Sequence, residues 1–106
     1  MADYGVVLVT ASSPEEARAI SEVLLQEKLA ACISTTAIQS LYVWEGAVQD
    51  DQEWQLMIKT DLSLFSEVEA KIKAVHSYDV PEIIALPIVQ GSTLYLDWIG
   101  ESTVNL

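Results

Sequence analysis

The sequence predicts an α+β domain: a four-stranded antiparallel sheet, two helices on one of its faces, and a short helix at the C-terminal end. Three observations predict it. Residues 5–10 form an unbroken apolar run rich in β-branched side chains, two stretches carry apolar residues at helical spacing behind capping residues, and two long alternating stretches flank a glycine-containing turn. With 106 residues and 51 % apolar content, the chain is one domain, residues 1–106, large enough to close around a single core.

The run Gly5-Val6-Val7-Leu8-Val9-Thr10 has no polar alternation, so it reads as a central strand covered on both faces. Ser13-Pro14-Glu15-Glu16 follows as an N-cap serine, a proline at the first helical position and a glutamate at the third, a capping box that starts a helix. Ala17, Ile20, Val23 and Leu24 then share one face, while Glu15, Arg18, Glu22 and Glu27 take the solvent side.

From Cys32 the chain alternates, with Ile38, Tyr42 and Trp44 on one parity and Leu41 and Val43 on the other. Glu45-Gly46-Ala47 makes the turn, and Trp54, Leu56 and Ile58 alternate with Gln55, Met57 and Lys59 on the way back. Each arm is about twice the usual strand length of 5–6 residues, so its end must stand in water or pair with another chain. An oligomer is expected on that ground, and Trp44, Trp54 and Trp98 are the expected interface anchors.

Asp61 and Ser63 are N-cap candidates for the second helix, whose apolar positions are Phe65, Val68, Ile72 and Val75. The fourth strand is expected at 82–88, and Gly91-Ser92 precedes a terminal helix at 93–99. The order β-α-β-β-α-β with that added helix is the ferredoxin-like split βαβ arrangement, a superfold that hosts many unrelated functions.

Sixteen acidic residues against five basic ones give a net charge of -11, which repels nucleic acid and anionic membranes and favours cationic partners. Cys32, the single cysteine, excludes an intramolecular disulfide framework and reads as a small buried hydrophobe in a reducing compartment. Asp3 stands where a signal peptide needs basic residues, and no apolar run approaches the roughly 18 residues of a membrane span. A cytoplasmic protein is expected.

The densest group of chemically capable side chains is His76, Tyr78 and Glu82, around a connector closed by Pro81. With Lys59 they are the expected lining of a cleft that recognises a small polar ligand. His76 alone is a candidate metal ligand, against the alternative of a hydrogen-bonded histidine at a helix end. Asp50, Asp51 and Glu53 read as a solvated acidic turn rather than a calcium loop. No nucleophile elbow, phosphate-cradling loop or metalloprotease helix is present, so catalysis is not expected.

The chain resembles the CutA divalent-cation tolerance family through Val7-Leu8-Val9-Thr10-Ala11, Lys28-Leu29-Ala30-Ala31-Cys32, Tyr42-Val43-Trp44-Glu45-Gly46, Lys59-Thr60, His76-Ser77-Tyr78, the run at 80–87 and Tyr95-Leu96-Asp97-Trp98. The resemblance implies a cytoplasmic homotrimer with long hairpins pairing across subunits and clefts between neighbours, similar in architecture to the PII signalling proteins. It also implies a link to copper and other divalent cations, through a cysteine in the first strand and two adjacent histidines credited to some bacterial members. Here those positions are Val9, Val75 and His76, so Cu(II) or another divalent cation is expected to bind weakly and no cofactor is essential. Three functions are open: divalent-ion tolerance by weak cation binding or cleft signalling, a metal-independent PII-like small-ligand module, and a structural trimeric scaffold with an unknown protein partner.

Overall fold

A computed structural model describes residues 3–104 and shows strand β1 (Tyr4–Ala11), helix α1 (Pro14–Gln26), β2 (Cys32–Trp44), β3 (Ala47–Asp61), α2 (Phe65–Val75), β4 (Ile83–Pro87) and α3 (Thr93–Ser102), with a 3₁₀ turn (Leu62–Leu64) leading into α2. The sheet order is β2-β3-β1-β4 with every pair antiparallel, the ferredoxin-like arrangement the element order predicts.

Strand pairing assigns the two faces. Val7 opposes Ile58, Val9 opposes Leu56 and Ala11 opposes Trp54, and this parity meets Ala17, Ile20 and Leu24 of α1 and Val68 and Ile72 of α2 in one core cluster. Val7, Val9, Ile20, Leu24, Leu56, Ile58, Val68 and Ile72 are fully buried. At roughly 2 kcal/mol for each large aliphatic side chain removed from water, this layer supplies most of the drive to fold.

The opposite parity is less covered than the continuous apolar run of β1 suggests. Val6 and Leu8 are half-buried, while their neighbours Met57, Ile84 and Leu86 are 39, 49 and 47 % exposed. Of the described helices only α3 lies on this face: a Cβ built on its Gly100 would meet the Tyr4 hydroxyl, and Tyr95 reaches Cys32. β1 is therefore central in the sheet, covered along its core face by α1 and α2 but on the other face by α3 only near Tyr4. Val75, expected on the apolar stripe of α2, is 46 % exposed because the helix ends there, past the edge of the core.

Helix α1 starts as its capping box requires, with the Ser13 Oγ accepting the Glu16 N–H at 3.0 Å. It ends in a Schellman turn, Leu29 N–H to the Leu24 carbonyl and Lys28 N–H to the Leu25 carbonyl, with Lys28 in the left-handed region at φ 58 where glycine is usual. β1 covers β3 only as far as Trp54, so residues 38–53 run on as a two-stranded arm of roughly 20 Å. Its two-residue turn has positive φ at both Glu45 and Gly46, matching the twist of the strands. The arm raises the radius of gyration to 14.2 Å, above the roughly 13 Å of a compact chain this long.

Candidate functional site

Helix α2 ends at Val75, and the connector at 76–82 folds back over the end of the sheet where the arm departs. Two devices hold it there. The first is His76, whose side chain is fully buried: its Nε2 meets the Thr10 carbonyl at 2.7 Å and its Nδ1 meets the Tyr78 N–H at 3.0 Å. A carbonyl on one side and an N–H on the other place the proton of the neutral ring on Nε2.

The second is Glu16, which does not close the capping box back onto Ser13. Its Oε1 accepts the Ser12 N–H at 2.9 Å and the Ser12 hydroxyl at 3.0 Å, and its Oε2 accepts the Ser77 N–H at 2.8 Å. Burial pushes this carboxyl up, but the hydrogen bonds from Ser12 and Ser77 outweigh it and bring its pKa down to about 2. One carboxylate thus ties the start of α1 to the connector after α2.

With the connector fixed, a cleft of about 750 Å³ opens between it and the base of the arm, on the sheet face away from α1 and α2. Thr10, Glu53, Tyr78 and Glu82 line its floor and rim, and Tyr42 and Trp44 continue it along the arm. Glu53 is 7 % exposed, and its Oε2 accepts the Tyr78 hydroxyl at 2.8 Å. Burial and then that bond push the Tyr78 phenol well above its usual range. Glu82 stands at the exposed rim, its carboxyl raised by partial burial and then by the charge of Glu53. Higher up, the Tyr42 hydroxyl bonds Asp51.

The structure brings together only part of the set expected from sequence. Tyr78 and Glu82 line the cleft, whereas His76 sits behind it with both nitrogens bonded inward. Lys59 is not part of this group: it pairs with Val6 and Cys32 near the other end of the sheet, its Nζ 3.3 Å from the Ser34 hydroxyl. It lies four residue steps along the strand from the Gln55 that opposes Thr10, roughly 13 Å. Trp44 and Trp98 present 45 and 42 % of their surface to solvent, but Trp54 packs against its own core.

Glu53 corrects the reading of a solvated acidic turn. Strand parity carries the signal for it: Glu53 opposes Ile38 and shares the side of Gln55 and Thr10, whereas Asp50 opposes Leu41 on the other side and Asp51, though on the cleft side, stays exposed.

A metal at His76 would first have to break one of its two bonds, and Val9, at the position of the family's cysteine, is fully buried in the core. Among the described residues no three His, Cys, Asp or Glu side chains converge. The donors of this chain do not fit a ready-made copper site, which calls for imidazole nitrogen or thiolate.

The family model of the CutA1 divalent ion tolerance protein matches residues 5–102. The Thermus thermophilus divalent-cation tolerance protein CutA is 46 % identical over 99 residues, 92 % of this chain and 96 % of that one. The Arabidopsis thaliana chloroplastic CutA is 48 % identical over 101 residues, and the chain spans only 56 % of its length. CutA1 from Oryza sativa superimposes with a TM-score of 0.94 at 44 % identity, covering 98 % of this chain and 96 % of that one. The periplasmic divalent cation tolerance protein CutA from Archaeoglobus fulgidus gives 0.92 at 41 %, covering 93 and 97 %.

Proposed function

Because this chain belongs to the CutA1 family of divalent ion tolerance proteins, we propose that it acts in the tolerance of divalent metal ions as a homotrimer, taking up cations weakly on carboxylate oxygen in the cleft at the base of the arm. The observation that carries the reading is Glu53, a carboxylate 7 % exposed with Glu82 close enough to repel it and no basic residue in the lining. Partial burial and then the charge of Glu53 raise the Glu82 carboxyl, and a cation beside the two carboxylates relieves the repulsion. Oxygen donors suit hard ions, and with so few the binding is weak and Cu(II) gains no selectivity over other divalent ions. The role is binding rather than catalysis.

Assembly is supported by the apolar sheet face of Met57, Ile84 and Leu86, continued by Tyr95 and Trp98, and by Leu41, Val43 and Val48 on the arm, each at least 70 % exposed. Apolar surface of this extent on a small chain marks an interface. Ile84→Glu is expected to lower the mass measured by light scattering, and an unchanged mass would remove this face from the interface.

A cytoplasmic location belongs to the same proposal, resting on the lone half-buried Cys32. Among the described residues no helix is long and apolar enough to cross a membrane.

The test is calorimetric titration of chelator-stripped protein with Cu(II) and with Mn(II) at fixed salt, on variants of confirmed mass. Saturable uptake of about one ion per subunit is expected, weakened at least tenfold by Glu53→Gln with Glu82→Gln and unchanged by His76→Gln. Non-saturable uptake that fades with salt and ignores the carboxylates would refute the site.

A further inference from the structure

The cleft is far larger than a hydrated metal ion requires. At about 750 Å³ it lies in the range of small-molecule sites, and its lining is of two kinds. At one end stand Glu53 and Glu82, with Asp79 at the rim; Tyr42, Trp44 and Tyr78 supply aromatic surface, and no Lys, Arg or His lines it. Glu53 Oε2 is held by Tyr78, while its Oε1 accepts from no protein donor among the described residues and is open to the cleft. An acceptor open to the cleft is available to a donor on a ligand.

The aromatic rings narrow the class. A bare metal ion gains little from them, but an ammonium group with an apolar stem gains from ring faces and ring edges alike. Geometry narrows it again. Tyr42 leans back toward the carboxylates, its hydroxyl on Asp51, whereas Trp44 lies six residues beyond the Ile38 that opposes Glu53, roughly 20 Å along the strand by backbone spacing. A ligand that uses both Glu53 and Trp44 is extended.

Resting on the reading that this cleft is the working site, we propose that it takes an organic ammonium ion, a free amine on a long apolar stem, with its charged head against Glu53 and Glu82 and its stem along Tyr42 and Trp44. Three N–H donors of a primary ammonium suit Glu53 Oε1 and the rim carboxylate together. The net charge of -11 raises the local concentration of such a cation and speeds its arrival. A lysine side chain of another protein carries the same head, but its stem is too short to reach Trp44 from Glu53.

The test is calorimetry with octylamine at constant ionic strength, beside ammonium chloride and N-acetyl-lysine amide, on protein of confirmed mass. Saturable binding of octylamine is expected, at least tenfold tighter than N-acetyl-lysine amide and with no matching signal from ammonium. Glu53→Gln should weaken it at least tenfold, and Trp44→Ala several-fold with Trp44→Phe nearly restoring it. If N-acetyl-lysine amide binds equally well, the stem contacts are wrong; if wild-type protein takes up no octylamine saturably, the inference falls whatever the variants do. Mn(II) binding at Glu53 and Glu82 without octylamine binding would overturn this inference and leave the metal reading standing. Octylamine binding without metal uptake would do the reverse.

Discussion

Replacing Glu16 by Gln tests the tie between α1 and the cleft connector. Gln keeps the shape and one carbonyl oxygen for Ser12, but it sets an amide NH₂ against the Ser77 N–H that Oε2 now accepts at 2.8 Å. A carboxyl whose pKa falls from 4.5 to about 2 on folding carries at most about 3 kcal/mol by linkage. Its side chain is 12 % exposed at the surface end of a helix, and screening reduces that to about 2 kcal/mol. The folded-state value is the depressed one, so the contribution is fully present above pH 4.5 and is lost as pH falls from there through about 2. Urea unfolding followed by circular dichroism between pH 2 and 7, at one protein concentration, measures it. Wild-type protein is expected to lose this increment in the acid range, whereas Glu16→Gln starts about 2 kcal/mol lower at pH 7 and shows a shallower acid loss. Equal midpoints at pH 7 with parallel pH profiles would show that the three hydrogen bonds add nothing over solvation.

Two further substitutions probe the backbone that carries the site. Lys28→Gly should raise stability by about 0.5–1 kcal/mol, because the left-handed residue closing α1 loses its side-chain strain while its carbonyl still accepts the Val104 N–H; a lower urea midpoint would contradict this. Gly5→Ala should cost about 1–3 kcal/mol, since a Cβ there would stand 2.6 Å from the Leu86 carbonyl oxygen and 2.5 Å from a Leu62 methyl carbon, forcing β1 and β4 apart; a thermal midpoint within a degree or two of wild type would show that the sheet edge yields freely.

How much of the site can be read from the chain differs residue by residue. The capping box at Ser13 announces α1, and Glu16 earns its place there by local spacing, yet its bond to Ser77 spans 61 residues and leaves no mark in either segment. Tyr78 and Glu82 stand out because a tyrosine and a carboxylate flank a proline connector. Lys59 matches them in chemistry alone; it shares their sheet face but sits at its other end. Glu53 was hidden among exposed aspartates, since charge density says solvent while strand register says cleft.

Local chemistry was enough to write the element order, the helix starts, the hairpin turn and the apolar parity of β3, because caps, turns and side-chain periods act over a few residues. That information ends where chain segments meet. Whether His76 turns outward to a metal or inward to Thr10, and whether Glu53 finds Tyr78, depends on how the α2 connector crosses the sheet relative to the arm. Those contacts join positions 25 to 66 residues apart, and they are selected by the packing of two helices on one face, which leaves the other face of the sheet to form the cleft.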